Sequence, residues 1–85
     1  MKIGFKPIPL GRYVEQFIRA NPTEDRTAVT KRLQSAIAAS VRGQRCACGE
    51  PIWIIGSAEA GLACFTCITG EAHPDSDYEI DVDSH

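Results

Sequence analysis

Beyond Arg45 the chain contains neither lysine nor arginine. All nine cations lie in residues 1–45, beside three acids, Glu15, Glu24 and Asp25, a net +6. The remainder holds eight acids, a net −8, so the overall −2 conceals a dipole along the sequence. Such a division means either that the two parts attract each other, within one chain or across a dimer, or that each has its own partner. The modest energetic weight of exposed charge favours the first.

Long apolar runs are missing as well. The start, MKIGFKPIPLGRY, lacks the apolar stretch of about 7–15 residues that a secretory leader needs. Nothing approaches the roughly 20 apolar residues of a membrane span. The expectation is a cytoplasmic protein with no membrane partner, in a reducing compartment that favours thiolates over disulfides. Histidine is scarce: His73 sits in a polar loop and His85 at the end, and a site already supplied with four cysteines needs neither. The acidic stretch Asp75, Asp77, Glu79, Asp81, Asp83 lacks the mid-loop glycine of an EF-hand, and strand alternation accounts for its spacing, which argues against calcium. A chain of 85 residues buries only about 60–65% of its unfolded surface, so a staple is expected.

The staple is in the one stretch that has cysteine, CACGEPIWIIGSAEAGLACFTC. Cys46 and Cys48 form one pair and Cys64 and Cys67 the other, with residues 49–63 between them. Turns with one or two residues between cysteines place two sulfurs on one side of a tetrahedral site, and a hairpin between the pairs would close it. Gly49 suits a left-handed position after the first pair, and Gly70 a looser version after the second. One Zn2+ per chain is the reading favoured by compartment and ligand softness, ahead of two disulfides or iron. Arg42 and Arg45, just before Cys46, would lower thiol pKa values if they face the sulfurs, and are otherwise ordinary residues at a helix end.

Around this stretch the periodicities predict an α+β fold: an N-terminal helical hairpin followed by a three-stranded antiparallel zinc ribbon. Residues 1–9, with two prolines, read as an arm pinned by Phe5 and Ile8. Leu10, Val14, Phe17 and Ile18 share one helical face over 10–21. Asn21, Pro22 and Glu24 read as a capping box for a second helix over 22–42, whose stripe is Val29, Leu33, Ile37 and Val41 and whose stop is Gly43. Ile52–Ile55 is an apolar run of β-formers, SAEAG a turn using Gly61, and Leu62–Phe65 the returning strand. Residues 77–83 alternate, Tyr78, Ile80 and Val82 against Asp77, Glu79, Asp81 and Asp83, as an edge strand guarded by charge. Trp53 is expected in the core. Residues 1–45 thus form a basic arm and hairpin, and 46–85 an acidic ribbon, in one compact unit.

On these residues the chain resembles the zinc-ribbon superfamily over 46–82: a cysteine pair, a hairpin, a second pair, then a third strand. It departs at Cys46-x-Cys48-Gly49, where most ribbons have Cys-x-x-Cys-Gly. That shorter turn beside a Cys-x-x-Cys is found also in a redox-switched heat-shock chaperone. Ribbons that cleave transcripts carry paired acids at the tip; here Glu59 stands alone, so that activity is not implied.

A site filled by four cysteines leaves no open position for substrate, so no enzyme is expected. The first functional reading is a zinc-stabilised interaction or adaptor module with a protein partner or a homodimer. The second is a nucleic-acid or transcription-linked protein using Arg12, Arg19, Lys31, Arg32 and Arg42 on phosphates, opposed by the acidic half. The third is a thiol switch that releases zinc on oxidation.

Overall fold

Two prolines hold the beginning of the chain extended. Pro7 and Pro9 bias Lys6 and Ile8 away from helix, and Lys6–Ile8 is strand β1. A computed structural model of the chain describes residues 5–72, 74 and 77–82. The expectations for residues 1–4, His73, Asp75, Asp83, Ser84 and His85 lie outside them.

After Pro9, helix α1 runs Leu10–Ala20 and buries Leu10 and Val14, with Tyr13, Phe17 and Ile18 half-buried against the core. Asn21 ends α1 by donating its backbone N–H to Phe17 O at 2.9 Å and its side-chain amide to the same oxygen at 3.0 Å. Helix α2, Arg26–Val41, starts four residues later than the capping box implied. Its cap is Asp25, whose Oδ2 accepts the Ala28 N–H at 2.9 Å. Pro22 instead belongs to a turn closed by Glu24 N–H on Asn21 O. Val29, Leu33, Ala36 and Ile37 are buried on α2, whereas Val41, the last residue of the expected stripe, is 70% exposed.

The three-stranded antiparallel ribbon is not there. The protein is mostly helical, with four helices and one two-stranded parallel sheet among the described residues. The apolar run expected as a strand leads into helix α3, Ile54–Ala60, and the sequence expected as a hairpin turn is its body. Gly61 does take a positive φ of 96°, but as the residue that ends a helix. The expected return strand is a loop followed by a short helix, α4, Phe65–Thr69. Apolar runs of this length do not separate strand from buried helix, and Ser57-Ala58-Glu59-Ala60 holds good helix formers. Among the described residues one antiparallel contact survives, an isolated bridge between Arg45 and Pro51.

The last strand, β2, Tyr78–Ile80, pairs in parallel with β1, with Lys6 opposite Tyr78 and Ile8 opposite Ile80. Lys6 N–H donates to Asp77 O at 2.8 Å and Asp81 N–H to Ile8 O at 2.9 Å. Parallel strands need a long crossover, and here it is the whole chain between them. One cluster of buried side chains runs through both halves of the sequence: Ile8, Val14, Leu33, Ile37, Ile54 and Ile80 all belong to it. Trp53 is half-buried, stacks on Phe5 with centroids 5.8 Å apart, and meets Phe65 edge-on at 4.9 Å. Gly56 is held to glycine by this packing: a Cβ there would collide with the Trp53 ring and lie 2.8 Å from Ile68 Cδ1. No helix is long and apolar enough to cross a membrane among the described residues.

Candidate metal centre

Each cysteine pair is shaped by its own turn. Cys46 N–H donates to Glu50 O at 2.8 Å, and Gly49 N–H donates back to Cys46 O at 2.8 Å. This tight loop needs the positive φ of 96° that Gly49 supplies. Arg45 buttresses it by donating from Nη1 to Gly49 O at 2.9 Å. In the second pair Cys64 caps α4, its Sγ accepting the Cys67 N–H at 3.4 Å. The helix returns the chain at once through Gly70, which has φ 83°. The two turns face each other through α3, not through a hairpin: Trp53 N–H donates to Ala63 O at 2.9 Å, and Ser57 Oγ both donates to Ala63 O and accepts its N–H.

The four Sγ atoms all lie within 4.8 Å of one another. Cys46 and Cys67 are 3.5 Å apart, as are Cys48 and Cys64. Cys46 and Cys64 are buried and Cys48 and Cys67 exposed, and all four are free thiols. A tetrahedral zinc thiolate with Zn–S of about 2.3 Å has sulfurs about 3.8 Å apart, so this donor set fits a four-coordinate metal ion. Among the described residues it is the one grouping of histidine, cysteine or acid side chains close enough to hold a metal.

The electrostatics also ask for a cation. Cys46 is held down to a pKa of about 6 by the backbone N–H groups of Cys48 and Cys64. Its neighbours go the other way: hydrogen bonding with the sulfur of Cys46, then with those of Cys64 and Cys48, pushes Cys67 up to about 12. Cys48 gains from the Glu50 amide, but Cys64 and Cys46 outweigh this and raise it. One thiolate is supported by amides, and further ones require a positive charge between them. Amides, rather than Arg42 or Arg45, set the low value at Cys46.

Of the five basic candidates, Arg32 and Arg42 line one depression together with Ser57 and Leu62. Arg12 and Arg19 are exposed on α1, and Lys31 and Arg42 on the outer side of α2 and at its end. Arg32 is engaged by Glu24 at 3.6 Å and Glu59 at 3.2 Å. Glu79, read from the sequence only as an outward charge on a strand, turns inward. Its carboxylate accepts the N–H groups of Ile54 at 2.8 Å, Ile55 at 3.3 Å and Ile80 at 2.9 Å, capping α3 from the far end of the chain. Burial raises its pKa despite these three donors. The sequence signal was faint: Trp53, just before α3, has no side-chain acceptor for a helix start.

No family model, no curated protein and no solved structure matches the chain.

Proposed function

We propose that this chain is a small interaction module built around a structural zinc ion, with a protein partner or a second copy, and that it carries out no catalysis. The observation that carries the reading is the convergence of four sulfurs within 4.8 Å from two separate turns. Cys46, Cys48, Cys64 and Cys67 would hold the metal. A dication there supplies the positive charge that lets all four thiols ionise. Thiolate donors select zinc, copper(I) or iron among common metals, and a closed tetrahedral set suits zinc. With every position taken by the chain, no site is left for water or substrate, so the centre organises surfaces.

Metal analysis of protein purified under reducing conditions tests the reading. The expected result is one zinc per chain, replaceable by cobalt(II) with the absorption of a tetrahedral thiolate site. Metal-free protein with an unchanged fold overturns it, and stoichiometric iron overturns the zinc assignment.

A further inference from the structure

Among the described residues Ser57 is the one buried polar side chain, 6% exposed. Its place on α3 does not call for a hydroxyl: alanine is the better helix former, and Ala58 and Ala60 serve in the same helix. A buried hydroxyl costs free energy unless it is hydrogen-bonded. This one is bonded twice, to one residue: Ser57 Oγ donates to Ala63 O at 3.1 Å and accepts the Ala63 N–H at 3.2 Å. Ala63 O also accepts the Trp53 N–H at 2.9 Å, so two donors hold one oxygen. Ala63 O and the N–H of Cys64 are opposite ends of one planar peptide group. That N–H is hydrogen-bonded to the sulfur of Cys46, in the other cysteine pair. Fixing the oxygen therefore fixes the direction of a donor aimed across the site, and hydrogen bonds at the two ends of a peptide polarise one another.

We propose that Ser57 is the positioning residue of the metal centre: it holds the Ala63–Cys64 peptide so that Cys64 is set in place and its N–H points at the Cys46 sulfur. One hydroxyl thereby acts on a cysteine of each pair. Groups behind the ligands of a metal orient them and tune the charge they carry, and their loss weakens the metal although every ligand remains. Ser57 also ties the centre to the core, because α3 packs Ile54 and Ile55 there. This role rests on the reading of a metal ion held by the four cysteines, and it adds the residue that governs how firmly that ion is held.

Full-length protein loaded with zinc or cobalt(II) tests it. Ser57→Ala should weaken zinc by about 10–100-fold in competition with a chromophoric chelator. It should also shift the thiolate-to-cobalt charge-transfer absorption, and Ser57→Thr, which keeps the hydroxyl, should restore both. Val14→Ala, a core truncation on α1, separates positioning from stability: it should lower the melting temperature and leave the cobalt spectrum unchanged. Wild-type affinity and spectrum in Ser57→Ala overturn the role, as does a spectrum no more altered than that of Val14→Ala. A second measurement needs no variant. In wild-type protein loaded with cadmium-113, the Cys64 amide proton should couple to the metal through the Cys46 sulfur, and absence of that coupling overturns the role even if Ser57→Ala does not fold. Each of these failures leaves the metal reading standing. A wild-type chain that takes up no metal overturns that reading itself, and the role of Ser57 with it.

Discussion

Glu79 carries more of the architecture than its place in the sequence suggests. It is a half-buried acid among alternating residues, yet it satisfies the free N–H groups that begin α3 and one on its own strand. Its pKa is raised, chiefly by burial, so the folded chain holds the proton more tightly than the unfolded one. Stability from this group is therefore fully present below the ordinary carboxylate pKa and is lost as pH rises through the raised value. Replacing it with Glu79→Gln removes that dependence. Urea unfolding of both proteins should show the wild type gaining on the variant as pH falls from 7 towards 5, and parallel curves would refute the assignment. The cysteines show the opposite local logic: amides stabilise charge on Cys46, and hydrogen bonding to its sulfur, ahead of its charge, suppresses ionisation of Cys67.

At the scale of elements, the helices differ in where their ends come from. Helix α2 is locally specified: Asp25 caps it, and Gly43 follows its end with φ 88°. Asp25→Ala should cost about 1 kcal/mol in thermal or urea unfolding, while Glu24→Ala should leave the start of α2 unchanged, since no capping box forms there. Equal losses from the two would restore the earlier start. Helix α3 is specified from a distance, by Glu79 at its start and by packing of Ile54 and Ile55 in the core. The sheet is protected by similar means. Pro7 removes a donor from β1, and the outer side of β2 is engaged by the Trp53 Nε1–H on Tyr78 O at 2.9 Å and by Glu79 Oε1 accepting the Ile80 N–H.

For the whole molecule the central question is what holds 85 residues together. The segment from Arg45 to Gly70 has two short helices and tight turns, and the cysteines gather its two ends. Structural zinc in comparable sites contributes about 10–16 kcal/mol, as much as the whole stability of many domains. A strong chelator under reducing conditions, or Cys64→Ser, should therefore abolish the cooperative thermal transition seen by circular dichroism. A chain that melts at the same temperature without metal would show that the core alone suffices. The sequence by itself determined the charge division, two helices expected over 10–21 and 22–42 and found over 10–20 and 26–41, the arm pinned by Phe5 and Ile8, and the four cysteines of the candidate metal centre, because periodicity, proline and cysteine spacing act locally. Only the tertiary structure decided that PIWIIGSAEAG yields a helix and no hairpin, that the sheet is parallel, and that Glu79 turns inward. Those outcomes depend on contacts between residues far apart in the chain. At the candidate metal centre the four cysteines converge through α3 in place of a ribbon, since two short turns bring four sulfurs together whatever connects them.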